Sequence, residues 1–517
     1  VAFLYACGGS GGSSSPSSAT ITGSVYAAPV TGATVVVLNS SGTTTIAGPV
    51  TTSSDGTYSV SIPTGDLSAD LIFSSNSGTF DDEATGIATP AKEMAAYVVG
   101  GSLSSAASVN LDPASTIIAD LVKNHGKTLT EANTIFSGAF GYAPNISVMP
   151  KNDSTAGAAE RLAALRAITY SQLTEDLNLG PNEQFDLLTA IAEDLADGVL
   201  DGTNASTMVS LGSGTVPEDI ENRFEHSLVS LLTNTTCNKT GLTTAEIGSL
   251  PFGKVALTNT YKVEYLPGMM PAAQGKTTFK IRITNRSDGS PASGLASSIS
   301  LMPTMHMATM SHGTPVDSAI TENPSGTYSC TVYYLMASGM GMGYWELSVK
   351  IGGMMGETAT FYPAVGMAMS ANTVRSTLKG QSDIISSMTG TEKRSYYLFR
   401  DGLVSGATST FNIFISAKDT MMSYPAVSSG TTLHDEQNAA WTVNTMTVEA
   451  STDGSTWTAG TDNSGGHWMI SSLSGLTSGS TGTVYVRMTV NGEQKTTNGS
   501  APSGANGYAT FTVTPGM

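Results

Sequence analysis

The chain separates into segments by the period at which apolar residues recur. Over 20–112 the period is two: 20–25 reads TITGSV, 33–38 is a short apolar run, and Asp55-Gly56 leads into the alternating 57–60. Alternation of this kind marks half-buried strands, and the Gly-containing pairs between them mark turns. From 113 to about 250 the period lengthens to that of an α-helix. It predicts helices over 116–123, 131–140, 158–173, 183–200 and 217–232, with Pro113 and Ser115 at the first start and Gly126 and Gly180 at stops. Alternation returns at 261–265, 277–283, 325–333 and 343–349, and again at 410–416, 443–450 and 483–490. Asp453-Gly454 and Asn491-Gly492 are hairpin signals in the last stretch. The pattern predicts a multidomain, mainly β protein. It has β-sandwiches at 20–112, 255–369 and 372–517, an inserted α-helical bundle at 113–250, and a leading segment at 1–19.

Size and charge narrow the picture. At 517 residues the chain exceeds what one hydrophobic core supports. Only 12% of residues are charged, and Ser, Thr, Gly and Ala fill the gap, a composition that reads as extracellular. The formal net charge of −18 disfavours nucleic acid, which is bound through a basic footprint. No apolar run approaches the roughly 18–20 residues that span a membrane. GxSxG, HExxH and P-loop signatures are absent, so no enzymatic activity is expected. The acids Glu193, Asp194, Asp197 and Asp201 lack EF-hand spacing and read as a solvated helix end.

The three cysteines, Cys7, Cys237 and Cys330, form no CxxC pair, which excludes zinc-finger, thioredoxin-like and c-type haem readings. A Cys237–Cys330 disulfide is open in an oxidising compartment. Against it, Cys330 shares strand parity with Tyr328 and Val332, as a core residue would.

The segment with the most specific chemistry is 302–312, MPTMHMATMSH, with four methionines and two histidines. Of 23 methionines, 13 fall between Met269 and Met369. Packing filler would be spread through every core; this is concentrated. Thioether sulfur suits Cu(I), and imidazole suits copper in either oxidation state. The candidate ligands are Met302, Met305, His306, Met307, Met310 and His312, joined by Met336, Met340 and Met342 downstream. Strand parity groups Met302, His306, Met310 and His312 on one face, and Met305 with Met307 on the other. No acid lies within the segment, which favours Cu(I) over Cu(II). Two other readings stay open: core packing, and a Met-rich interface. Met421, Met422, His434, His467 and Met469 are candidates for a second soft site.

Three stretches resemble known families. Leu4-Tyr5-Ala6-Cys7 resembles the bacterial lipobox, which implies lipidation at Cys7, removal of the residues before it, and a Gly/Ser tether after it. With Gly8 following, the resemblance implies the outer membrane or cell surface; the signal peptide would then be truncated here. Gly23 to Val25, the 32–37 run and Asp55 to Tyr58 resemble the carboxypeptidase regulatory-like β-sandwich, a transthyretin-like spacer module. The order of 277–283, Met302-Pro303, Gly326 to Tyr328, the Met turn and 345–349 resembles the YtkA-like family. That is an immunoglobulin-like sandwich related to the copper-binding CopC-like proteins.

These resemblances imply a surface lipoprotein that binds copper for sequestration, or for delivery to a cuproprotein partner, and that meets the membrane only through its lipid. The alternative is a structural or adhesive surface or filament protein whose Met clusters line an interface with a self-assembly partner.

Overall fold

Residues 17–104, 107–244, 246–247, 250, 253–339, 341–368, 371–388 and 390–516 are described by the computed structural model, those of Met354 without its side chain. The lipidation candidate Cys7 and the ligand candidate Met340 lie outside the described residues. The chain divides into two units, Val1–Leu242 and Thr243–Met517. The fold is mainly β, as the apolar pattern predicts, with all of its strand ladders antiparallel among the described residues.

In the first unit, Ser18–Ser24 pairs with Thr57–Pro63. A four-stranded sheet runs in the order Thr45–Thr51, Thr34–Asn39, Leu71–Asn76, Met94–Val98. Alternation turns Ile21, Val35, Val37, Val60, Ile62 and Phe73 into one core. Gly23 is required here: a Cβ would lie 1.7 Å from the Val109 carbonyl oxygen. The 107–111 segment therefore runs hard against the first strand, and the Tyr58 hydroxyl donates to that same carbonyl at 2.6 Å.

Five helices follow: α1 (Pro113–Lys123), α2 (Leu129–Phe140), α3 (Ala158–Asp176), α4 (Gln184–Asp194) and α5 (Ile220–Thr233). Asp112 caps α1, its Oδ1 accepting the Ser115 N–H at 2.7 Å, and Pro113 occupies the first turn, where no N–H is needed. Thr128 and Glu131 form a capping box on α2, and Gly141 ends that helix at φ 70°. The helix faces meet in an aromatic cluster, with Phe140–Phe224 centroids 4.7 Å apart and Tyr170–Phe224 5.1 Å apart.

One expected helix is cut short. The 183–200 pattern yields α4 only to Asp194, then a 3-10 turn at Leu195–Asp197. Asp194 is not at a solvated helix end. It is buried and accepts the N–H groups of Asp201 at 3.1 Å and Gly202 at 2.8 Å. Burial pushes its carboxyl up to about 7, against those two hydrogen bonds.

The second unit holds two sandwiches. The first pairs a five-stranded sheet (Val255–Leu257, Tyr261–Leu266, Gly275–Asn285, Thr327–Tyr334, Thr321–Glu322) with a four-stranded one (Ser311–Gly313, Ile299–His306, Tyr344–Ile351, Glu357–Phe361). Phe279, Ile281, Tyr328, Trp345 and Leu347 fill the space between them. The other sandwich is built on Arg375–Ser387, Gly390–Val404, Ser409–Ala417 and His467–Leu473, facing a sheet around Met446–Ser451 and Gly482–Val490. It encloses Arg394, only 1% exposed, whose Nη1 donates to Asp419 Oδ1 at 2.7 Å and whose Nε donates to Asp383 Oδ1 at 3.2 Å. The two sandwiches join through aromatic packing, with the Tyr333 and Phe414 rings stacked at 4.0 Å.

The Cys237–Cys330 bridge that the sequence leaves open is not formed. Cys237 and Cys330 are free thiols, each enclosed within its own unit. Cys330 is 1% exposed in the first sandwich core of its unit, as its parity predicts, and Cys237 Sγ lies 3.8 Å from the Ala84 carbonyl.

Candidate metal centre

The segment 302–312 is a hairpin rather than one strand. Ile299–His306 turns at 307–310 and pairs with Ser311–Gly313, in the register Met305↔His312 and His306↔Ser311. On its other side Met305 pairs with Trp345 and His306 with Tyr344. The turn reverses the face that a continuous strand would give to its second half. Single-strand parity, which puts His312 with His306, is corrected accordingly: His312 shares the inward face of Met305, and His306 shares the outward face of Met302.

The inward face is a soft-donor pocket. His312, 8% exposed, places Nδ1 2.7 Å from the Gly313 carbonyl oxygen and Nε2 3.4 Å from Met336 Sδ. A carbonyl only accepts, so Nδ1 carries the proton and Nε2 presents its lone pair to the thioether. Burial lowers the His312 pKa, and Lys418 and Arg375 lower it further against the Gly313 hydrogen bond, so the ring is neutral at pH 7. Trp345 stands edge-on to His312 at 5.5 Å and donates its Nε1–H to the Met336 carbonyl at 3.0 Å, fixing that residue in place.

Backbone chemistry brings Met336 there. The turn after Thr327–Tyr334 returns to the sheet at Gly343, where φ is 115° and an added Cβ would sit 1.9 Å from the His306 carbonyl oxygen. Met305 is fully buried, and Met307, Met336 and Met342 pack half-buried against the same core. For Met305, the core-packing reading therefore describes its position, on the strand face that the register shares with His312.

The outward face is different. His306 stacks on Tyr344 at 5.0 Å, and its Nε2 lies 3.3 Å from Glu346 Oε2. Glu346 is the acid that the segment itself lacks; the register Thr304↔Glu346 supplies it from the neighbouring strand. Met302 and Met310 are exposed, 57% and 48%.

The second soft cluster does not assemble. His467 is held by two carboxylates, Asp317 Oδ2 at 3.1 Å from Nε2 and Asp401 Oδ2 at 3.3 Å from Nδ1. Its pKa rises to about 9 through the Asp317 hydrogen bond, then that of Asp401, against burial, so it is an imidazolium with no lone pair for a metal. His434 contributes its backbone carbonyl to Arg394 at 2.9 Å. The Met421 backbone carbonyl accepts the N–H of Gly313, the residue after His312, at 2.8 Å. Sequence spacing could not reveal this, since the contact depends on how the two sandwiches dock.

Among the described residues no group of three or more His, Cys, Asp and Glu side chains is placed to hold a metal ion, and no helix is long and apolar enough to cross a membrane. Comparison with family models and with curated proteins finds no match. Among solved structures, the crystal structure of S. aureus TarS matches at 10% identity and a TM-score of 0.16, over 61% of this chain and 59% of that one. The chain thus spans less than two thirds of that protein's length, and a likeness of this degree carries no inference about fold or activity.

Proposed function

We propose that this protein binds Cu(I) at His312 and Met336 and serves to sequester the ion or hand it on. One observation carries the reading: a neutral imidazole nitrogen and a thioether sulfur face each other at 3.4 Å with no proton to share. A soft ion there would be held by His312 Nε2 and Met336 Sδ. Lys418 and Arg375, whose charges reach His312, oppose a divalent ion more than a monovalent one. The donor set therefore suits Cu(I) better than Cu(II). Met305 is a third candidate donor, and the second sulfur, on the strand face that the register shares with His312. The resemblance of 255–369 to YtkA-like domains agrees with this role, and its two-sheet build is compatible with it. Surface attachment through a lipid on Cys7 belongs to the same proposal and rests on 4–7 alone.

The test is an anaerobic Cu(I) competition against a chromophoric chelator on the full chain, beside a His312→Ala/Met336→Leu variant. Trp345, edge-on to His312, reports locally by fluorescence quenching. Stoichiometric binding with quenching in the parent, lost in the folded variant, supports the proposal; equal behaviour of the two overturns it.

A second reading is favoured by a separate observation. Met269, Met270, Met355 and Met367 are exposed on the 255–369 sandwich, two of them almost completely. Exposed Met clusters suit an adaptable protein interface. Concentration-dependent assembly in light scattering, abolished by changing these four to Ser, would favour that structural role.

A further inference from the structure

The first unit contains a cavity that the copper reading does not use. It lies between the start of α1, the 142–148 loop and α3, with a volume of about 150 Å³. One face of α3 lines it at helical spacing: Ala159, Leu162, Ala163, Arg166 and Tyr170. The alanines leave the space open, and α3 is held in place by the aromatic cluster around Tyr170. A cavity of about 150 Å³ with apolar walls takes a benzene-sized molecule.

Arg166 makes this more than a packing defect. Its guanidinium stacks 4.1 Å from the Tyr142 ring centroid and, among the described residues, has no hydrogen bond or ion pair. Burial lowers its pKa, which measures the cost of keeping the charge there. The acid lining the same cavity, Asp112, is committed to capping α1 through Ser115. A guanidinium offers a planar fork of N–H donors that fits a carboxylate on two bonds. The Tyr142 stack holds that fork at the cavity wall.

We propose that this cavity binds a small monocarboxylate with a benzene-sized apolar body, its carboxylate on Arg166 and its body against Ala159, Leu162 and Ala163. Benzoate is the probe of that class. The carboxylate replaces the missing counter-ion, and the body covers apolar wall that otherwise faces water.

The experiment is calorimetric titration of the full chain with sodium benzoate, benzamide and sodium acetate. Two variants accompany it: Arg166→Leu, which removes the fork, and Ala163→Phe, which fills the cavity. Circular dichroism melting confirms that each is folded, and Arg166→Leu alone suffices if Ala163→Phe is not. The expected result is one saturable benzoate site, at least about tenfold weaker for benzamide, for acetate and for Arg166→Leu, and absent in Ala163→Phe. The proposal is overturned if benzoate does not saturate, if benzamide or acetate binds as well, or if Arg166→Leu binds benzoate unchanged. Copper plays no part in these readouts, so failure here leaves the metal site untouched.

Discussion

His312 Nε2 and Met336 Sδ confront each other at 3.4 Å, 24 residues apart in the chain, with the imidazole proton committed to Gly313 on the far side of the ring. Two lone pairs without a proton between them form a contact that a soft cation would bridge. Because His312 is already neutral, Cu(I) affinity is expected to stay within about twofold from about pH 6.5 to 8.5, and to fall only in more acid solution. A chelator competition series across that range measures it. Met302→Leu and Met310→Leu, at exposed positions, should each change the affinity by less than about twofold, whereas His312→Ala should weaken it by about two orders of magnitude.

The imidazolium of His467 ties the two sandwiches of the second unit together. Asp401 Oδ1 also accepts from the Tyr333 hydroxyl at 2.8 Å and pairs with Lys276 Nζ at 2.7 Å. Burial would raise the Asp317 and Asp401 carboxyls, but their hydrogen bonds with His467, and for Asp401 those with Lys276 and Tyr333, hold both below the ordinary value. His467, raised from 6.5 to about 9, lends stability that is complete below pH 6.5 and lost as pH rises through about 9. The two lowered carboxyls add stability that is present above 3.8 and lost in more acid solution. His467→Gln is therefore expected to cost about 2 kcal/mol near pH 6 and almost nothing above about pH 10, read from denaturant midpoints at the two pH values.

Arg394 and Arg487 should respond very unequally to the same substitution. Removing Arg394 leaves the buried Asp419 without its cation and Asp383 with only Lys495 Nζ, 4.0 Å away, so Arg394→Met is expected to destabilise by about 3–5 kcal/mol. Arg487 pairs with Glu449 on a partly exposed sheet face, at 2.6 Å. Arg487→Met should cost no more than about 1 kcal/mol. Urea unfolding followed by tryptophan fluorescence separates the two; equal costs would contradict the enclosed network.

The two described cysteines should behave as inert thiols. Burial pushes Cys330 up to about 12 and also raises Cys237. Iodoacetamide followed by peptide mapping is expected to label neither in the native protein and both after unfolding in guanidinium without reductant. A peptide linking Cys237 to Cys330 in the unreduced digest would show the bridge instead.

Local physics was legible along the chain wherever one face of an element is buried. Period two in 57–60 and 277–283, and period 3.6 in 116–123 and 131–140, each emerged as the expected strand or helix, because alternation and helical stripes are properties of consecutive residues. The concentration of Met and His at 302–312 and 336–342 likewise pointed, without any structure, to the two segments whose His312 and Met336 come into contact. The α4 boundary was not legible, since Asp194 is held by amides of residues seven and eight positions on.

What the sequence by itself determined is the succession of β, α and β segments and the neighbourhood in which soft donors gather. Only the tertiary structure decided which donors meet. The turn at 307–310 moved His312 to the face of Met305, Glu346 came to His306 from another strand, and Asp317 and Asp401 claimed His467. The physical reason is that a side chain's face follows from its neighbours along the backbone, whereas its partner across space follows from register and docking. These join residues too far apart in the chain for any local pattern to encode.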